Sequence, residues 1–139
     1  MRGIAVSLIS PLRVLVVDDE PTVRNLIQDL LTADGHEVET LADGRLVLAR
    51  VAAAPFDVIV TDMRMPAMSG GALHQALAAA HPELARRIVF ISGDPSAAAT
   101  DEVLAAAGAA TLAKPFTWEA LRDALHAAVD CGREHVGAK

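Results

Sequence analysis

Short, nearly continuous apolar runs punctuate the chain, and each is stopped by a polar residue. Val14-Leu15-Val16-Val17 ends at Asp18-Asp19-Glu20, Val58-Ile59-Val60 at Thr61-Asp62, Ile88-Val89-Phe90-Ile91 at Ser92-Gly93, and the weaker Ala109 to Ala113 at Lys114-Pro115. Runs of this length between turn signals predict strands buried on both faces of a parallel sheet. A looser alternation from His36 to Leu41 predicts an edge strand. Between these runs the period changes to that of a helix. Val23, Leu26, Ile27, Leu30 and Leu31 form one stripe behind Pro21, with Gly35 as the stop. Arg45 to Ala54 predicts a short helix stopped by Pro55. Leu73, Ala76, Leu77 and Ala80 stripe a helix opened by Ser69 and ended at His81-Pro82. Thr100, Val103, Leu104 and Ala107 stripe another, closed by Gly108, and Leu121, Leu125, Ala128 and Val129 form the buried side of a last helix capped by Thr117. Five alternations of strand and helix predict an α/β fold, a doubly wound five-stranded parallel sheet covered by helices on both faces.

Composition narrows what such a sheet could do. The chain has 139 residues, enough for one domain with its own core. A formal charge of −6, no Tyr, one Trp and three Phe disfavour nucleic acid or an anionic membrane as partner. The single Cys131 has no disulfide partner, which favours a reducing, cytoplasmic compartment. The apolar stretch Ile4 to Ile9 is too short to span a bilayer. The five His lack metal-binding spacing and read as surface or helix-face residues. Trp118 reads as packed against the sheet edge or a partner.

The chemistry gathers at the strand ends. In a parallel sheet all carboxyl ends share one edge, where ligands bind. Asp18 and Asp19 follow the first strand, Asp62 the third, Ser92 the fourth and Lys114 the fifth. Each has a bland reading: Asp18 and Asp19 as helix N-terminal acids, Ser92 as a cap, Lys114 as a solvated strand end. Their convergence favours a shared site. Clustered carboxylates repel one another unless a cation lies between them, and a donor set of carboxylates, a backbone carbonyl and water suits Mg²⁺, with Mn²⁺ the alternative. Asp19 and Asp62 on such an ion would leave Asp62 oriented as a nucleophile for a phosphoryl group. Lys114 and the Ser92 hydroxyl would then meet the phosphoryl oxygens.

Val14 to Glu20, Val58 to Pro66, Ile91-Ser92-Gly93-Asp94 and Lys114-Pro115-Phe116, in that order, resemble the receiver domains of two-component response regulators. The likeness runs from about Leu12 to Val129. It implies a flavodoxin-like (CheY-like) sheet of order 2-1-3-4-5 with five helices, and a cis peptide before Pro115. It implies Asp62 as phosphoacceptor, Asp19 and Asp62 as direct Mg²⁺ ligands, Asp18 acting through water, and the Arg64 carbonyl completing the set. Ser92 and Lys114 would contact the phosphoryl group. The donor would be a phosphohistidine on a histidine kinase or phosphotransfer protein, the target a downstream protein, and phosphorylation could bring two copies together. Such a chain phosphorylates itself from its donor and dephosphorylates slowly, and is not a turnover enzyme in the usual sense.

Two features depart from the family pattern. An aromatic switch residue usually stands three positions before the Lys, and Thr111 occupies that place. Another element must then report phosphorylation, or output is coupled through the helix after Ser92. The chain also carries no recognisable output domain. It divides into an extension (1–11), the receiver-like domain (12–130) and a tail or linker (131–139). It reads as a stand-alone regulator, a module of a hybrid histidine kinase, or a phosphorylation-independent docking adaptor. A dehalogenase-like phosphatase is disfavoured because Asp18-Asp19-Glu20-Pro21 is not the D-x-D arrangement that class uses, and no phosphate-binding Gly-rich loop is present. Arg64 and Asp94 each lie two residues past a site residue and are expected to pair across the cleft mouth.

Overall fold

The apolar runs become the strands of one sheet, and the register between them brings their polar ends to a common edge. The computed structural model describes residues 11–64, 68–93 and 110–137, with side chains of the last helix as far as Val129. The elements in order are β1 (Arg13–Val17), α1 (Pro21–Ala33), β2 (Glu37–Leu41), a 3₁₀ turn (Gly44–Leu46) leading into α2 (Val47–Ala53), and β3 (Val58–Asp62). Then come α3 (Gly70–Ala80), the single turn α4 (Pro82–Ala85), β4 (Ile88–Ser92), β5 (Ala110–Ala113) and α5 (Trp118–Gly137). The sheet order is β2-β1-β3-β4-β5, every neighbouring pair parallel, as the resemblance implied. The expected helix of Thr100 to Ala107 and the partner Asp94 lie outside the described residues.

Local chemistry sets the helix ends. Pro21 occupies the first turn of α1 without wasting a hydrogen bond. At its other end Gly35 adopts φ 95°, and the N–H groups of Gly35 and His36 donate to Thr32 O and Leu31 O at 3.0 and 3.1 Å. That pair of bonds is the Schellman closure, which needs the left-handed residue only glycine adopts without strain. Ser69 Oγ accepts from Ala72 N–H at 3.2 Å and Thr117 Oγ1 from Ala120 N–H at 3.0 Å, so both predicted caps hold.

Strand alternation splits the core between the two faces. Leu15, Val17, Ile59 and Phe90 face Val47, Val51, Leu73 and Leu77 of α2 and α3. Val14, Val16, Val58, Val60, Val89 and Ile91 face Ile27 and Leu31 of α1 and Leu121, Leu125, Ala128 and Val129 of α5. Each fully buried large aliphatic or aromatic side chain of this kind contributes about 1.5–3 kcal/mol, so the central strands carry much of the stabilising burial among the described residues. Trp118 packs against the second cluster with the Arg122 guanidinium 5.9 Å above its ring.

The helix faces differ from the expected stripes in several places. Leu26 is 50% exposed, and α1 buries Ile27 and Leu31 instead. In α3 the buried positions are Gly70, Gly71, Leu73, His74 and Leu77, with Ala80 exposed. His74 lies 6.2 Å, centroid to centroid, from the Phe90 ring. His36 is buried too, its Nδ1 accepting from Leu12 N–H at 3.0 Å. These two histidines are therefore core residues rather than surface ones. The His36 Nε2 lies 3.3 Å from Asp34 Oδ2. The backbone of α5 stays helical to Gly137, past the loss of apolar periodicity at Gly132.

Candidate functional site

The first wall of the site is the turn between β1 and α1. As β1 leaves the sheet, the Asp18 N–H donates to Leu41 O of β2 at 3.1 Å, and the Asp18 side chain folds inward until the residue is 1% exposed. Its Oδ1 accepts from Glu20 N–H at 2.9 Å, while Oδ2 is buried with no hydrogen-bond partner. Asp19, next in the chain, is exposed. Arg24, one turn into α1, donates from Nη1 to the Asp18 carbonyl at 2.8 Å.

The second wall is the end of β3. Asp62 pairs in register with Ile91 of β4, and Met63 N–H continues the ladder to Ile91 O at 2.9 Å. α3 begins against the Phe90 ring. Gly70 N–H donates to Met63 O at 2.8 Å, and a Cβ on Gly70 would lie 3.1 Å from the Phe90 ring and 3.3 Å from Met63 Cα. Glycine is thus what lets α3 start this close to the strand that carries Asp62.

The third wall comes from β4 and β5. Ser92 is 4% exposed, opposite Ala113, and Lys114 N–H donates to Ser92 O at 2.8 Å, tying the two strand ends together. The Lys114-Pro115 peptide is cis, as expected. Lys114 Nζ lies 3.7 Å from Asp62 Oδ1. Thr111, at the position of the missing aromatic, is exposed on β5 and pairs in register with Phe90.

One carboxylate oxygen each from Asp18, Asp19 and Asp62 lies within 4.8 Å of the others. At that spacing each like-charged pair repels by roughly 3–4 kcal/mol at surface dielectric, before solvent screening. The ammonium of Lys114, itself 29% exposed, cannot offset all of it. Burial is the largest influence on both Asp18 and Asp62 and pushes each carboxyl above the usual range. For Asp62, Lys114 and a hydrogen bond from the Arg64 backbone pull the other way, while Asp18 and Asp19 push further up. The orphaned Asp18 Oδ2 and the all-oxygen donor set fit a hard divalent cation, which would offset this burial cost. Asp18, Asp19, Asp62, Ser92 and Lys114 are therefore gathered at one edge as the sequence implied, and Arg64 reaches Asp62 through its backbone. Two contributors were not singled out from the sequence: Arg24, whose only signal is its place one turn beyond the acids, and Gly70, one of two adjacent glycines after a Ser cap.

The response regulator receiver domain model matches residues 14–126. Among curated proteins the chain is 33% identical over 110 residues to the sensor histidine kinase TmoS of Ectopseudomonas mendocina, covering 79% of this chain and 11% of that protein. It is 41% identical over 68 residues to the transcriptional regulatory protein TcrA of Mycobacterium tuberculosis, covering 49% of this chain and 27% of TcrA. The chain thus spans about a quarter or less of the length of these relatives. Among solved structures, the chemotaxis response regulator CheY4 of Vibrio cholerae superimposes with a TM-score of 0.75 at 34% identity, covering 86% of this chain and 99% of that one. NtrX of Brucella abortus gives a TM-score of 0.81 at 26% identity, covering 93% of this chain and 29% of that one. With the five-stranded order, the acidic cluster and Lys114 at one edge and a family match across most of its length, the chain belongs to the response regulator receiver domains of two-component signalling.

Proposed function

We propose that Asp62 accepts a phosphoryl group from a phosphohistidine of a kinase or phosphotransfer protein, and that the acidic cluster holds Mg²⁺ for this transfer. The observation that carries the proposal is the placement of three carboxylates within 4.8 Å of one another with Lys114 Nζ 3.7 Å from Asp62 Oδ1. Asp18, Asp19, Asp62 and the Arg64 carbonyl would hold the ion. When bound, Mg²⁺ neutralises charge on the incoming phosphoryl group and keeps the carboxylates ionised.

The protein's own groups do the rest. An Asp62 carboxylate oxygen attacks phosphorus, the P–N bond to the donor imidazole breaks as the P–O bond forms, and the departing nitrogen takes the electron pair and a proton from solvent. Lys114 orients the carboxylate beforehand and offers its ammonium to a phosphoryl oxygen, and the Ser92 hydroxyl donates to another. Hydrolysis of the resulting acyl phosphate returns Asp62 to its starting state, so the chain resets slowly and is not a turnover enzyme. The match to a sensor histidine kinase over 79% of the chain supports a kinase as donor and is compatible with a receiver carried on a hybrid kinase. No helix among the described residues is long and apolar enough to cross a membrane, in keeping with a cytoplasmic partner.

The deciding experiment is incubation with acetyl phosphate and Mg²⁺, followed by intact mass measurement. One hydroxylamine-labile phosphoryl group is expected on the parent and none on Asp62→Asn. Equal incorporation by that variant would remove Asp62 from its role.

A further inference from the structure

We propose that Arg24 is a positioning residue for the divalent-cation pocket, acting through the peptide between Asp18 and Asp19. The inference rests on the metal reading above and extends it to a residue outside the acids.

The turn after β1 is held at three points: Asp18 N–H on Leu41 O, Glu20 N–H on Asp18 Oδ1, and the Arg24 guanidinium on the Asp18 carbonyl, at 3.1, 2.9 and 2.8 Å. The last is the point that governs Asp19. A peptide unit is planar, so fixing the Asp18 carbonyl fixes the direction in which the Asp19 Cα leaves the strand. Asp18 is buried and its side chain is held by packing and by Glu20 N–H, whereas Asp19 is exposed, so the direction of its backbone helps to bring its carboxylate to Asp18 and Asp62. Arg24 itself is anchored because its own N–H donates to Glu20 O at 3.0 Å as α1 begins. A charged donor on a carbonyl is stronger than a neutral one, and partial burial of the bond protects it from water.

Two effects of this guanidinium on a bound cation have opposite signs. As a positive charge bonded to the backbone of the site it repels a second cation, so its removal should tighten Mg²⁺ binding if its field dominated. As a clamp on the Asp18–Asp19 peptide it keeps a ligand aimed, so its removal should weaken binding. The bond to the Asp18 carbonyl is short and charge-assisted and acts directly on the ligand-bearing peptide, so the clamp wins.

The test is calorimetric Mg²⁺ titration of the parent, Arg24→Gln, Arg24→Lys and Asp19→Asn, with thermal unfolding of each in the absence of metal. Arg24→Gln is expected to weaken Mg²⁺ about tenfold, the usual scale for groups that orient a ligand from behind. Its metal-free Tm should fall by about 4 °C or less. Arg24→Lys, which keeps a charged donor, should recover most of the affinity. Unchanged or tighter binding by Arg24→Gln, while Asp19→Asn loses it, overturns the inference and leaves the metal reading intact. Equal loss in Arg24→Gln and Arg24→Lys with matching falls in Tm also overturns it, in favour of a general structural role. No Mg²⁺ binding by the parent would instead remove the metal reading itself.

Discussion

Acids at two places on the same sheet have opposite fates. On the edge strand β2, Glu39 accepts from both Nε and Nη2 of Arg50 on α2, the latter at 2.8 Å, and Glu37 lies 3.6 Å from Arg13. Both arginines lie over the Phe56 ring, the Arg13 and Arg50 guanidinium carbons 5.0 and 5.8 Å from its centroid. Arg50 holds the Glu39 carboxyl below its usual range. At the carboxyl ends of β1 and β3, burial without an equivalent partner pushes Asp18 and Asp62 above theirs. A carboxylate given its cation by the fold is complete and contributes structure. One buried without a full complement costs stability, and that cost is recovered only when something binds.

Divalent metal should break the symmetry between the two places most visibly. Saturating Mg²⁺ at about a hundred times its Kd is expected to stabilise the parent by about 2.7 kcal/mol, and Asp18→Asn should lose most of that increment. Without metal the same variant should be more stable than the parent at neutral pH, because a buried like-charged group has become neutral. Thermal unfolding with Mg²⁺ and with a chelator reads both effects, and a variant less stable in both conditions would contradict the account of the cluster.

Phe56→Ala at the flank is expected to cost about 2 kcal/mol, from lost burial and two cation–π contacts. Mg²⁺ affinity should be unchanged, since Phe56 packs with the flank and not the site; denaturant unfolding and metal titration together check it. Gly70→Ala lies on the site side of the comparison. Its methyl must displace the Phe90 ring or the Met63 backbone, so a loss of about 1–2 kcal/mol is expected with weaker metal binding, whereas an equally stable variant would mean that α3 starts with room to spare.

The smallest effect is on Glu39→Gln, about 1 kcal/mol or less, since the ion pair is about one-third exposed. Its pH dependence is the sharper signature. A carboxyl whose folded value is lowered stabilises above its ordinary 4.5, and that contribution is lost as pH falls through the folded value. Asp18 runs the other way: raised above its ordinary 3.8, it makes the metal-free fold lose stability as pH rises through the folded value. Plotted against falling pH, the deficit of Glu39→Gln and the surplus of Asp18→Asn should both close, the second at higher pH. Closure in the reverse order would show that the two places do not differ as described.

The sequence was a good guide wherever the controlling interaction is local. The runs ending at Asp18, Asp62, Ser92 and Lys114, the Ser69 and Thr117 caps and the Gly35 stop all act within a few residues, and these strands, caps and stop formed at the expected residues. The same locality explains the failures. The angle at which a helix rests on a sheet is set by packing along its whole length, so Leu26 turned out to water although it belongs to the apolar stripe of α1, and His74 turned in to Phe90 although it is not part of the apolar stripe of α3.

The primary structure by itself determined which residues stand at the strand ends and therefore which chemistry is on offer: carboxylates, a hydroxyl and an ammonium. Only the folded sheet decided that β1 and β3 are neighbours, that Asp18 is buried while Asp19 is not, and that Arg24 reaches back to the Asp18 carbonyl. Strand order is non-local, and the electrostatic state of an acid depends on water excluded by segments far away in the chain. A linear pattern can nominate a carboxylate, but its surroundings make it reactive.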